Sequence, residues 1–369
     1  MSYDNHTQSK NAVLNIKPVT ARIGAEIEDI RLSADLSPAE VAAIQNALLK
    51  YKVLFFRNQN HLDDAGQETF ARLFGELFAH PTVPKRSGTG SIFELDSTHG
   101  GRADAWHTDV TFIDAIPKIS ILRGVTIPET GGDTVWANTA AAYQDLPDGL
   151  KSLADHLWAL HTNEYDYDAY HSKASEEDIR YHEEVFTSTI YETTHPVVAI
   201  HPETGERTLI IGQFTKRLLG LSLSDSNHLY SLLQDRITKL ENTVRWRWSA
   251  GDVVIWDNRA TQHYAVNDYG QQKRVVRRVT LKGEVPISID GQKSKMKKKE
   301  KAILDPAILK QLYPNGPTSP KMDSIFRLYP AVSCFGLRDI ILSLKFPSLL
   351  RIHQINSAYP RLTTRPRIS

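Results

Sequence analysis

His107-Thr108-Asp109 sets an imidazole and a carboxylate two residues apart. On a β-strand, positions i and i+2 point to the same side. Two histidines and one carboxylate on one face of a metal leave open positions, the arrangement used by O₂-activating ferrous sites. A lone His-x-Asp is a weak signal, and this chain carries competitors. They are His61-Leu62-Asp63, His182-Glu183-Glu184 and His201-Pro202-Glu203. His61 precedes an apparent helix start, His182 lies in a polar stretch, and His201 opens an apparent turn. Only His107 runs into β-type text, Val110-Thr111-Phe112. The third ligand must come from a distant strand. His263, after Trp256-Asp257-Asn258-Arg259, is the best placed, although by itself it fits a structural histidine better than a ligand.

Arginine accompanies His263. Arg274 and Arg278 lie four apart on an apparent strand, so they share a face and stand about 13 Å apart. Arg277 and Val275 point the other way. Two guanidinium groups on an interior face are costly unless each meets an anion. Arginine suits the two-pronged recognition of a carboxylate or a sulfate-like group.

Elements must bring these residues together. Ser37-Pro38-Ala39-Glu40 is a helix start, with a capping serine, proline at the first helical position and glutamate three residues after the cap. That helix should run to about Lys50, followed by a buried strand at Val53–Phe56. A second helix is expected from about Asp64 to Leu77. From about Ile92 short strand-like runs dominate: 119–125, 134–137, 197–200, 208–211, 244–248, 252–256 and 274–281. Turn residues such as Gly131-Gly132-Asp133 separate them. This texture predicts a mainly β sandwich or barrel core, with helical stretches near 140–157 and 224–240. Residues 163–194 are polar, acidic and tyrosine-rich, and read as a long insertion, a lid or a surface loop.

The chain has 369 residues and one cysteine, Cys334, which excludes an intrachain disulfide and a cysteine-based zinc or iron–sulfur site. Its net charge of +1 conceals a split. Residues 293–369 hold 15 basic and 4 acidic residues, whereas the first 292 hold 29 and 39. A basic extension punctuated by eight prolines therefore follows an acidic body. No aromatic platform interleaves its lysines, so no nucleic-acid partner is expected. No signal peptide or membrane span is expected either, which leaves a cytoplasmic location as the default.

Three stretches together resemble the Fe(II)/2-oxoglutarate dioxygenases of the taurine dioxygenase family, on its alkylsulfatase branch. They are Trp106-His107-Thr108-Asp109-Val110-Thr111-Phe112, Gly131-Gly132-Asp133-Thr134-Val135-Trp136-Ala137-Asn138 and Trp256–Ala265, continuing into Arg274 and Arg278. The resemblance runs from about Ile16 to Ile289. It implies a double-stranded β-helix (jelly-roll) core with flanking α-helices. It also implies Fe(II) on His107, Asp109 and His263, with 2-oxoglutarate and O₂ as cosubstrates. Thr134 and Arg274 would hold the C5 carboxylate of 2-oxoglutarate. Arg278, His80 and the Val110 N–H would meet a sulfo group, and Phe214 would form an aromatic wall. The expected organisation is a tail at 1–15, the dioxygenase domain at 16–291 and a poorly ordered extension at 292–369.

Taurine-specific members carry a tyrosine where this chain has Val83 and an asparagine where it has Ala103. Both changes remove polarity, which disfavours a small zwitterion and favours an alkyl chain. The resemblance therefore implies hydroxylation of the carbon next to the sulfate ester of an alkyl sulfate, giving aldehyde, inorganic sulfate, succinate and CO₂. The alternative is a taurine or alkylsulfonate dioxygenase that releases sulfite. A small organosulfur substrate is implied, and a homo-oligomer is expected.

Overall fold

The computed structural model describes residues 13–99, 103–165 and 185–301. An eight-stranded sheet forms the larger layer. Its order is β1 (Asn15–Pro18), β2 (Ala25–Glu28), β3 (Val53–Phe56), β14 (Val253–Asp257), β6 (Ile119–Thr126), β16 (Val275–Leu281) and β4 (Leu77–Phe78), with β5 (Phe93–Asp96) also paired to β16. A three-stranded sheet contains β13 (Thr243–Trp246), β7 (Thr134–Asn138) and β15 (Thr261–Ala265). A four-stranded sheet contains β12 (Thr215–Leu218), β8 (Trp158–Thr162), β9 (Thr189–Pro196) and β17 (Lys295–Lys301). A short hairpin pairs β10 (Val198–Ile200) with β11 (Arg207–Leu209).

Strand alternation sorts the large sheet's side chains. Leu54, Phe56, Ile121, Val253, Ile255, Val279 and Leu281 pack with helices α1 (Pro38–Tyr51) and α2 (Asp64–Arg72). Their neighbours Val53, Phe55, Leu122, Val254, Trp256 and Val276 pack the other way, against Trp136 and Trp246 of the three-stranded sheet. Phe55 stacks on Trp246 at 4.1 Å. Burying such aromatic pairs supplies large apolar area, with a further ~0.5–1.5 kcal/mol from ring geometry. A second cluster packs the smaller sheets against α3 (Thr139–Gln144), α4 (Asp148–Ala154) and α5 (Leu223–Ile237).

Most expected elements appear where the pattern places them. The α1 capping box forms with both of its hydrogen bonds. Four expectations change. The second helix stops at Arg72, because the chain must turn through Gly75 at φ 149° to enter β4. The 140–157 stretch splits at Pro147, which starts α4. The insertion ends early, because Thr189–Pro196 is a strand between β8 and β17; residues 166–184 lie outside the described residues. The expected boundary at 291/292 falls inside structured chain. Gly291, at φ 82°, turns the chain back so that Lys295–Lys301 pairs with β9, and the compact unit ends at Ala302. The remainder of the expected extension lies outside the described residues. No helix among the described residues is long and apolar enough to cross a membrane.

Candidate metal centre and anion sites

His107 and His263 meet through a two-residue antiparallel bridge. His107 N–H donates to the His263 carbonyl at 3.1 Å, and His263 N–H donates to the His107 carbonyl at 2.8 Å. Their rings lie 4.1 Å apart between centroids. Asp109 Oδ1 stands 3.7 Å from His107 Nε2 and 3.8 Å from His263 Nε2. The donor atoms of all three residues lie within 4.8 Å of one another, and all three residues are buried. His107 Nδ1 sits 2.7 Å from the Ala105 carbonyl. A carbonyl only accepts, so Nδ1 carries the proton and the Nε2 lone pair turns toward Asp109. Burial lowers both imidazole pKa values. Burial opposes ionisation of Asp109, but Arg278, both histidines and Ser120 outweigh it and hold that carboxyl at about 2. Two neutral imidazoles and a carboxylate converging on one point fit a single divalent cation.

The Asp109 turn is held from several sides. Asn258, fully buried, accepts from the Asp109 N–H at 2.9 Å and donates to the carbonyls of Asp109 at 3.1 Å and Pro117 at 2.9 Å. Ser120 Oγ donates to Asp109 Oδ2 at 2.8 Å. Val110 takes φ 58°. A β-branched residue there is a backbone outlier costing on the order of 1–3 kcal/mol, which persists only where the surroundings impose it.

Strand β16 separates its arginines as its period requires. Arg277 points to α2 and pairs with Asp64 at 3.0 Å and Glu94 at 2.7 Å. Arg278, 5% exposed, points inward, pairs with Asp109 and lies over Phe93. Arg274, 7% exposed, donates to the Gly132 carbonyl at 3.0 Å and to Thr134 Oγ1 at 3.4 Å. No carboxylate among the described residues pairs with it. Gly132, at φ 72°, allows this approach, because a Cβ there would stand 3.1 Å from Arg274 Cδ. Trp248 Nε1–H also donates to Thr134 Oγ1, at 3.0 Å. With two donors on its oxygen, the Thr134 hydroxyl is left to donate its own proton, which suits an anion.

His80 Nδ1 accepts the Val83 N–H at 3.0 Å, which leaves the other ring nitrogen to carry the proton. Burial first, then Arg278, pushes this imidazole down to about 3. Val110, Phe112, Ile113, Tyr191 and Phe214 form one apolar cluster with Phe78 at its edge. Phe214 stands edge-on to His107 at 6.1 Å and to Phe112 at 5.2 Å.

The nine nominated residues thus gather on the inward side of the large sheet. Of the competitors, His61 bonds the Leu32 carbonyl at 2.8 Å, while Asp63 caps α2. His182 lies outside the described residues. His201 is buried, with Nε2 2.9 Å from Asp257, and serves the fold rather than an exposed turn. Sequence reasoning assigned no role to Ser120, Asn258, Trp248 or Tyr191. Asn258 lay within a quoted stretch, but spacing alone carries no signal for a partner 149 residues away.

Comparisons place this geometry. Over 286 residues the chain is 60% identical to an alpha-ketoglutarate-dependent sulfate ester dioxygenase of Pseudomonas putida, covering 78% of this chain and 95% of that protein. It is 58% identical over 288 residues to an alkylsulfatase of Acinetobacter baylyi, covering 78% and 91%. A solved taurine dioxygenase from Burkholderia xenovorans superposes with a TM-score of 0.66 at 37% identity, covering 78% of this chain and 95% of that one. The family described as taurine catabolism dioxygenase TauD, TfdA matches residues 15–280. With its jelly-roll core and its gathered His-Asp-His set, the chain belongs to that family and is a 2-oxoglutarate-dependent dioxygenase.

Proposed function

We propose that this chain hydroxylates alkyl sulfates at the carbon bearing the sulfate ester, with Fe(II) held by His107, Asp109 and His263. The observation that carries the anion assignments is Arg274, a buried guanidinium beside Thr134 and without a carboxylate partner among the described residues. Arg274 and the Thr134 hydroxyl orient the C5 carboxylate of 2-oxoglutarate. Arg278, the free N–H of His80 and the Val110 N–H receive the sulfate ester. The cluster of Val110, Phe112, Ile113, Tyr191 and Phe214 lies along the alkyl chain and excludes water. Bound iron supplies the O₂-dependent oxidation of the C–H bond. The product carries a hydroxyl and a sulfate on one carbon, and it collapses to aldehyde and inorganic sulfate. O₂ accepts four electrons, two from the oxidation of 2-oxoglutarate to succinate and CO₂ and two from the C–H bond, and one of its oxygen atoms ends in succinate and the other in the hydroxyl.

Three things support an ester over taurine: Val83 is buried where a polar partner would serve an amine, the cluster around Phe214 is apolar, and the two relatives at 60% and 58% identity carry ester-directed names, against 37% for the taurine dioxygenase. Succinate formation is to be measured side by side with hexyl sulfate, hexanesulfonate and taurine, and the sulfur anion identified. Hexyl sulfate is expected to give succinate and sulfate in equal amounts. Sulfite from taurine or hexanesulfonate at a higher kcat/KM would replace this function with sulfonate oxidation.

A further inference from the structure

We infer that Ser294, which lies beyond both the family match at 15–280 and the expected boundary at 291, is a positioning residue for the sulfate-binding turn at Val110, acting through His195. Ser294 Oγ lies 2.7 Å from His195 Nδ1, and His195 Nε2 lies 2.7 Å from the Thr111 carbonyl. His195 is fully buried and Ser294 is 6% exposed. The Thr111 carbonyl can only accept, so Nε2 carries the proton. In a neutral ring Nδ1 must then accept, so the Ser294 hydroxyl turns its one proton to Nδ1 at 2.7 Å in preference to the Pro286 carbonyl, the other acceptor in reach at 3.2 Å. Ser294 therefore completes the hydrogen bonding of the tautomer that lets His195 grip Thr111.

That grip falls on one flank of the strained residue. Asn258 clamps the peptide groups of Asp109 on the other flank, and Thr193 Oγ1 donates to the Phe112 carbonyl at 2.7 Å beyond Thr111. Val110 keeps φ 58° between these restraints, and its N–H is the group assigned to the sulfate ester. Chain folding delivers Ser294 there. Ser288 and Gln292 close the turn at Gly291 through a 2.8 Å backbone bond. The Ser294 N–H donates to the Pro286 carbonyl at 3.0 Å, and Thr194 Oγ1 donates to the Lys295 carbonyl at 3.2 Å as β17 joins β9. Part of the basic segment, expected to be a poorly ordered extension, thus belongs to the site's scaffold.

The inference rests on the reading that Val110 and Arg278 hold the sulfate ester, so the test includes both. The full-length protein, loaded with Mn(II) and 2-oxoglutarate, is titrated calorimetrically with hexyl sulfate. Ser294→Ala is expected to weaken hexyl sulfate roughly three- to tenfold, as befits one hydrogen bond acting at a distance, while 2-oxoglutarate affinity stays within about twofold. Ser294→Thr keeps the hydroxyl and is expected to restore binding. Ser294→Cys keeps the volume but donates weakly, and is expected to fall between. Arg278→Gln must weaken hexyl sulfate in the same assay. If it does while Ser294→Ala and Ser294→Cys bind as wild type, or weaken both ligands equally, the inference is overturned and the site reading stands. If Arg278→Gln has no effect on hexyl sulfate, the site reading falls and the inference falls with it.

Discussion

The two faces of β16 handle the same residue type in opposite ways. On the outer face Arg277 meets Asp64 and Glu94, and Arg86 and Arg123 share the same Asp64. Every charge there is answered from within the chain. On the inner face Arg274 is buried with a carbonyl and a hydroxyl but, among the described residues, no carboxylate. The buried histidines His161 and His195 form no ion pair among the described residues either, yet they can respond by staying neutral. Arginine does not deprotonate in proteins. An uncompensated buried arginine therefore points to an anion from outside, whereas an uncompensated buried histidine points only to a lowered pKa.

The largest effect that could break this contrast concerns the metal. His107→Ala, Asp109→Ala or His263→Ala is expected to abolish ferrous binding, measured by titration of the metal-free protein. His201→Ala is expected to retain it. Because Asp257 would then lose one of its two buried partners and keep Arg259, that variant is expected to lose about 1–3 kcal/mol of stability in urea. Loss of metal with His201→Ala at full stability would contradict the division between the two histidine classes.

A smaller effect concerns pH. Burial lowers His161 well below its ordinary value and His195 to about 4. A histidine with a lowered folded pKa stabilises the fold fully above the unfolded value, and the contribution is lost as pH falls toward the folded one. Between pH 7 and pH 5 each should remove about 2 kcal/mol, at ~1.4 kcal/mol per unit below ~6.5. Urea midpoints at the two pH values check this, and His195→Gln should lose its share of the difference. The smallest effect concerns Trp248. Trp248→Phe removes one neutral hydrogen bond to Thr134 and is expected to weaken 2-oxoglutarate about two- to tenfold. In a Thr134→Val background the same change should have no effect on that affinity.

The sequence showed what period and type encode. The i, i+2 spacing picked out His107 and Asp109, but not for the reason expected. Only an isolated bridge at His107 is strand-like, and Asp109 to Phe112 form a turn rather than a strand. Strand alternation did separate Arg277 from its neighbours. The capping chemistry of α1 was local and appeared as expected. What could not be read depends on distant partners. The clamp on Asp109 joins residues 149 apart, and Trp248 reaches Thr134 across 114. The alternating run Thr189-Ile190-Tyr191-Glu192-Thr193 carried a strand signal, but it was submerged in the acidic, tyrosine-rich composition around it. β17 is a lysine-rich edge strand. Local propensity disfavours lysine in strands, while an edge tolerates it because charge discourages further pairing. The segment therefore read as a tail.

One binding matrix tests the central claim, that the inner face holds two different anions on two arginines. Dissociation constants for 2-oxoglutarate and for hexyl sulfate are measured on the Mn(II)-loaded wild type, Arg274→Gln and Arg278→Gln. Each lost charge-assisted contact should cost at least ~1.5–3 kcal/mol, roughly tenfold or more. Arg274→Gln should spend that loss on 2-oxoglutarate and Arg278→Gln on hexyl sulfate, each leaving the other ligand within a few-fold. Equal losses of both ligands in both variants, or none in either, would contradict the account.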